Sequence, residues 1–253
     1  MEGRCPFCNK DRKHVLQISP DGQWVHCFRC GWNGTREAFE KAVSQNIDFQ
    51  FSSKVEPPKL DEFVLDEGVP ITKSPKAFSY LKSRGAVDYA TLNRWLCTPT
   101  KIIIPVYQYG VCVGKVDRNY KGLLRYLFST GFKSSLLLFN YDQARYNSTL
   151  ILTEGVFDCI SVAKALPFCG SVGLFGKNLS CHNASRIRKL SPREVVVMLD
   201  SPSKDKETVK SSREIAMKLC GMKVTIASLK NGDPNEEGVS GIQEAYETRK
   251  SLL

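Results

Sequence analysis

Two cysteine pairs near the amino end, Cys5-Pro-Phe-Cys8 and Cys27-Phe-Arg-Cys30, stand eighteen residues apart. Two residues between cysteines let a tight knuckle point both sulfurs at one ion, and two knuckles brought together complete a tetrahedral site with no open position. The spacing therefore predicts one structural zinc ion on Cys5, Cys8, Cys27 and Cys30, a metal that holds structure and performs no chemistry. Between the pairs, HVLQIS and QWVHC flank Pro20-Asp21-Gly22, whose proline presets φ and whose glycine accepts positive φ, so two short strands around a turn are expected. His14 and His26 are possible substitute ligands, but four well-spaced thiols leave them little to do. The other six of the ten cysteines, Cys97, Cys159 and Cys220 among them, are scattered between apolar neighbours and read as buried thiols rather than disulfides.

Trp24, Phe28, Arg29 and Trp32 lie close in sequence to Lys10, Arg12 and Lys13. Aromatics interleaved with cations suit a surface that reads single-stranded nucleic acid, while a small ribbon with little core of its own would equally pack its tryptophans inward. Thr35 is a candidate N-cap for a helix, REAFEKAVSQ, that closes a module over residues 1–45. Residues 46–69, with Pro57-Pro58 and little periodicity, are expected to form a flexible or extended linker.

A net charge of +10, from 36 Lys and Arg against 26 Asp and Glu, makes phosphate backbones the leading partner, with a basic surface kept for solubility as the alternative. No apolar stretch is long enough to span a bilayer, and MEGRCPFC shows neither a secretory nor an organellar leader, so a cytoplasmic location is expected.

In residues 70–146, KAFSYLKSRGAVDYATLNRWL has helical spacing, split by Gly85 into two short helices. KIIIPVYQYGVCVGKVDRNY then reads as two strands around a Tyr-Gly turn, followed by a strand-like YLFSTGF. Lys115, Arg118, Lys121, Arg125 and Lys133 gather on these strands and loops as candidate contacts to triphosphate and template phosphates; blunting of exposed strand edges would use the same residue types.

In residues 147–253 three apolar runs each lead to an acid: LILT to Glu154, VVVML to Asp200 and KVTIASLKNG to Asp233. Helical segments between them, VFDCISVAKAL and KETVKSSREIAMKL, give the β-α-β alternation of a parallel sheet, whose ligands bind at the carboxyl ends of its strands. Three carboxylates at that edge suit Mg²⁺ or Mn²⁺ bound with substrate phosphates, and two ions about 3.5–4 Å apart serve nucleotidyl transfer. Gly155 permits close approach of a phosphate or metal to the backbone, and Asp158 would charge the first helical turn. Each acid taken alone is equally what a helix N-cap requires.

TEGVFDC with Glu154, VVVMLD with Asp200 and NGDPNE with Asp233 resemble the three acidic motifs of the TOPRIM domain. With a cysteine quartet, a linker and FSYLKSRG, IIIPVY and RYLFSTGFKSSLLLFN ahead of it, the chain resembles DnaG-type and bacteriophage DNA primases over nearly its whole length, and the four-cysteine set is closer to the primase half of phage primase-helicases. The resemblance implies an α/β chain: a small β zinc ribbon, a mixed α+β subdomain of an RNA polymerase domain, and a TOPRIM-like parallel sheet with a C-terminal helix. It implies a primase making short RNA on single-stranded DNA from ribonucleoside triphosphates. The implied roles are Glu154 assisting hydroxyl attack, Asp200 and Asp233 holding metal, Lys115 and Arg118 contacting nucleotide and template, and Trp24 and Arg29 reading template. One departure stands out: where the family has Asp-x-Asp, this chain has Asp200-Ser201-Pro202, and proline cannot bind a metal, leaving Asp205 as a possible replacement. No GxxxxGK[ST] motif is present, so a separate replicative helicase is the implied partner. A TOPRIM nuclease and a non-catalytic zinc-ribbon adaptor for nucleic acid are the competing readings.

Overall fold

A computed structural model describes residues 16–18, 24–27, 33–36, 61–121 and 124–251. The chain divides into two compact units, Met1–Pro58 and Lys59–Leu253.

In the first unit, β1 (Leu16–Ile18) and β2 (Trp24–Cys27) pair antiparallel with Leu16 opposite Cys27, the two strands expected there, while the expected Pro20-Asp21-Gly22 turn lies outside the described residues. A third strand, β3 (Asn33–Thr35), adds to β2 with Thr35 opposite Trp24, and Arg36 is already helical. Thr35 thus ends a strand where the helix begins. Val25 is buried. Cys5, Cys8, Arg29 and Cys30 lie outside the described residues, as do the side chains of Trp24 and Cys27.

The second unit contains two sheets. The first has β4 (Val69–Pro70), β5 (Leu96–Cys97), β6 (Lys101–Gln108), β7 (Val111–Asn119) and β8 (Tyr126–Phe128) in that order, all antiparallel. Tyr109 and Gly110 both take positive φ, the demand of a two-residue hairpin turn, and their amides donate to the Asp142 carboxylate at 2.6 and 2.7 Å. Helix α1 (Pro75–Ser83) starts where Ser74 Oγ accepts the Ala77 amide and proline fills the first turn; Gly85 at positive φ separates it from α2 (Val87–Leu92). Residues 61–69, expected as linker, run beside this sheet: the Phe63 amide donates to the Cys112 carbonyl at 2.7 Å and Val69 pairs with Cys97. Single anchoring contacts of that kind leave no periodicity to find.

The second sheet has β10 (Gly170–Gly173), β9 (Thr149–Thr153), β11 (Glu194–Val197), β12 (Val224–Ile226) and β13 (Lys250–Ser251) in spatial order, parallel throughout except for β13. Short helix α3 (Tyr141–Ala144) leads into it. Helices α4 (Val156–Ala165) and α7 (Pro234–Glu247) cover the face bearing Ile151, Val196 and Met198. Helices α5 (Cys181–Leu190) and α6 (Thr208–Lys218) cover the face bearing Leu150, Leu152, Val195 and Val197. Burial on both faces is why these strands read as unbroken apolar runs.

The two sheets share a core. Val156, Phe157 and Ile160 of α4 pack with Ile102, Ile104, Val106 and Val116 of the first sheet and with Leu81 and Trp95. Since α4 follows Glu154 directly, the same contact that joins the sheets places the first acid at their junction. Among the described residues no helix is long and apolar enough to cross a membrane.

Candidate active site

Glu154, Asp200 and Asp233 follow β9, β11 and β12, three neighbouring parallel strands, so the fold brings all three acids to one edge. The Asp200 amide donates to Glu154 Oε1 at 3.1 Å. Asp233 is the N-cap of α7, one oxygen accepting the Glu236 amide at 2.8 Å while Glu236 answers the Asp233 amide at 3.1 Å. The capping role foreseen as an alternative is therefore real for Asp233, but it uses Oδ1 and leaves Oδ2 turned to the site. Asp158 is a fourth acid: it accepts the Gly155 amide at 3.1 Å and is buried.

The acids are crowded in a place with little water. Burial raises the Glu154 carboxyl above its usual range, and Asp200 adds to the effect. Burial likewise raises Asp200, with Lys204 opposing and Asp233 adding. Asp158 is pushed up to about 7 by burial first and then by Asp233 and Asp200. A site in which several carboxylates resist ionisation together is one that gains from an added cation.

Two lysines and an arginine partly answer that demand, and sequence reasoning missed all three. Lys204 Nζ lies 2.6 Å from Asp233 Oδ2, 2.9 Å from Glu236 Oε2 and 3.7 Å from Asp200 Oδ2. Its spacing of four residues from Asp200, with an acid on either side, was the available signal. Lys177, from the loop after β10, pairs with Asp205, whose Oδ1 accepts the Glu207 amide at 2.9 Å. Asp205 thus serves Lys177 and the start of α6. Arg84, between α1 and α2, lies over the Phe157 ring at 5.1 Å, draws down the carboxyls of Asp158 and Glu236, and keeps its Nε buried without a hydrogen-bond partner.

The basic cluster foreseen on β7 is split by strand alternation. Arg118, opposite Ile102, sits on the face shared with α1 and α4; its Nε donates to the Tyr80 hydroxyl at 2.7 Å and its guanidinium lies 4.4 Å from the Tyr126 ring centre. Burial and nearby Asp158 help to hold the Tyr126 hydroxyl up at about 12, against Arg118. Lys115, opposite Pro105, faces the other way. It pairs with Glu67 and lies 3.4 Å from Asp117, which also takes Lys101 at 2.6 Å, a neutral knot of four charges. Arg125 and Lys133 are exposed. Phe128, Phe132 and Phe175 form an aromatic cluster on the Arg118 side, with ring centres 4.8 and 5.1 Å apart.

The donor set fits a hard divalent cation in kind, since Mg²⁺ takes one or two protein carboxylates and completes its shell with water and phosphate. Among the described residues no three carboxylate, thiol or imidazole groups close around a single point. Lys204 lies closest to Asp233, while Glu154 meets Asp200 through the Asp200 backbone amide.

The chain is an α/β protein in which an antiparallel sheet packs on a largely parallel one, with acids at the parallel edge beside cations and aromatics. Its fold is that of primases. Over 99% of this chain and 79% of the other, it is similar to the zinc-binding and RNA polymerase domains of Aquifex aeolicus primase, with a TM-score of 0.57 at 20% identity. It is similar to the primase fragment of bacteriophage T7 primase-helicase over 98% of both chains, with a TM-score of 0.52 at 17% identity. It is also similar to a DnaG primase catalytic domain bound to single-stranded DNA, with a TM-score of 0.51 at 15% identity, over 72% of this chain but only 62% of that one. No family model and no curated protein matches the sequence.

Proposed function

We propose that this chain is a DNA primase, a nucleotidyltransferase that joins ribonucleoside triphosphates into short RNA on a single-stranded DNA template. The observation that carries the reading is the placement of Glu154, Asp200 and Asp233 at the ends of three adjacent parallel strands, facing the junction with a sheet that offers Arg118 and aromatic rings. Such a junction suits a nucleic acid: cations meet phosphates, and rings meet bases.

In this reading the parallel sheet with its acids is a TOPRIM domain and the preceding sheet belongs to an RNA polymerase domain. Glu154 and Asp200 would hold Mg²⁺ or Mn²⁺, which when bound neutralises phosphate charge. The chain's own groups do the rest. Arg84 and Lys177 flank the acids as cations for the triphosphate, and Arg118 beside Tyr126 offers a planar contact for template or base. As the primer hydroxyl bonds to the α-phosphorus and pyrophosphate leaves, Glu154, whose carboxyl is raised by burial, is the acid suited to accept the hydroxyl proton. Lys115, held in its knot with Glu67, Lys101 and Asp117, would act on the far side of the sheet, on template beyond the site of bond formation. The cysteine quartet would bind one zinc and, with Trp24 and Arg29, select template sequence, and a replicative helicase encoded apart from these residues would deliver the strand.

The test is incubation with magnesium or manganese, labelled ribonucleotides and a panel of single-stranded templates, alongside Glu154→Ala and Cys27→Ser. Short ribo-oligomers on particular templates, abolished by Glu154→Ala and reduced or made indiscriminate by Cys27→Ser, are the expected result. Cleavage of DNA without ribonucleotides would replace this reading with a nuclease, and DNA binding with no synthesis under any condition would replace it with an adaptor.

A further inference from the structure

Lys204 is not an ordinary surface lysine. The loop that carries it is pinned to the segment just before Asp233. The Ser201 amide donates to the Gly232 carbonyl at 2.8 Å and Ser201 Oγ to the Lys230 carbonyl at 2.9 Å, with Ser201 wholly buried. Ser203 Oγ reaches the carbonyls of Lys230 and Asn231 at 3.2 and 3.1 Å, and the Lys204 amide donates to the Ser201 carbonyl at 3.0 Å. The lysine backbone is therefore fixed against the loop that presents Asp233, and its ammonium is delivered between Asp233 and Asp200. Three carboxylates, Asp200, Asp233 and Glu236, share that one charge.

A cation shared by Asp200 and Asp233 would have to sit where the ammonium sits. Pro202, two residues after Asp200, contributes no oxygen donor from its side chain. We propose that Lys204 is an internal counter-cation that occupies one of the cation positions of the carboxylate cluster, so that the site takes a single divalent ion, on the Glu154 side of Asp200. The inference rests on the metal-dependent reading above and adds to it the number of ions and the residue that sets it. A divalent ion arriving at Asp200 and Asp233 meets a fixed positive charge within a few ångströms, which repels it and already satisfies its ligands. Removing that charge while keeping the stem's bulk, as in Lys204→Met, frees both carboxylates for a second ion.

The measurement is Mn²⁺ stoichiometry by equilibrium dialysis with electron paramagnetic resonance of the free ion, on the zinc-loaded full chain without nucleotide. Folding of each protein is followed by circular dichroism in the same samples. One Mn²⁺ per wild-type chain, two per Lys204→Met chain and one per Lys204→Arg chain is the expected result. Mn²⁺ should also raise the melting temperature of Lys204→Met more than that of the wild type. Two ions on the wild type, or one on both wild type and Lys204→Met, overturns the role of Lys204 and leaves the metal-dependent reading standing. No Mn²⁺ on the wild type at millimolar concentration overturns both.

Discussion

Asp158 should lower the stability of this protein at neutral pH relative to mildly acid pH, and Asp158→Asn should remove that contribution. The carboxyl is buried near the other acids and is held up at about 7, against a usual aspartate value of 3.8. A gap of roughly three pKa units, at about 1.36 kcal/mol per unit, sets a ceiling of roughly 4 kcal/mol on the cost of ionising it in the folded state. The folded carboxyl keeps its proton longer than the unfolded one, so the unfolded state gains relative stability as pH rises from about 4 to about 7, and above 7 the whole cost is present. Asparagine has no such charge, and its amide oxygen can still accept the Gly155 amide as Asp158 does. Urea unfolding in magnesium-free buffer should therefore show Asp158→Asn more stable than wild type at pH 8 by roughly 2 kcal/mol or more, with the advantage largely gone at pH 4. An advantage that does not change with pH would mean that the variant acts through packing and not through the buried charge. Adding Mn²⁺ at pH 8 should narrow the gap, since a cation relieves the same repulsion.

Two further outcomes follow from the second sheet. Glu194 is buried at the start of β11 and is held at about 2 chiefly by Arg249, whose guanidinium makes bonds of 2.8 and 3.1 Å to it. Arg249→Met leaves that charge with Thr225 and the exposed Lys223 as its remaining partners and should cost about 1.5–3 kcal/mol at pH 7 by urea unfolding. Because the folded pKa of Glu194 is depressed, that stability exists above the unfolded value and fades as pH falls toward 2, so the variant and wild-type curves should converge there; parallel curves would refute the assignment. A Cβ at Gly170 would stand 2.6 Å from the Ala144 carbonyl and 2.8 Å from Leu150 Cδ2, so Gly170→Ala should lower stability by about 1–3 kcal/mol, and an unchanged melting temperature would show that β10 and α3 can part freely.

What the sequence made legible was whatever has a short range. The apolar runs of β9 and β11 are buried on both faces, so no alternation hides them, and the acids that end them are adjacent in space because those strands are adjacent. The Tyr109-Gly110 turn carried its own signal in the glycine between two strand-like runs, while the positive φ of Tyr109 was not readable from its type. By contrast, β10 is GSVG, with little apolar content to mark it as a strand, and it is held by its parallel pairing to β9. The basic cluster looked like one face because five cations are near in sequence, yet a strand alternates sides, and Lys115 and Arg118, an odd number of residues apart, had to part. That parity was readable in advance and would have assigned Arg118 alone to the acid side.

Lys204 shows the harder case. A lysine in an Asp-Ser-Pro-Ser-Lys-Asp loop carries only the weak signal of an acid four residues before it and another just after it. Its place follows from Ser201 and Ser203 binding backbone carbonyls about thirty residues away, contacts fixed by the closing of the sheet and not by any local preference. Pro202 offers the site no oxygen ligand, and Lys204 places an ammonium against Asp233. Acids with neither a further ligand nor an ammonium beside them would leave their charges unanswered in the absence of metal, whereas here Lys204 keeps Asp200 and Asp233 paired whether or not a metal is bound.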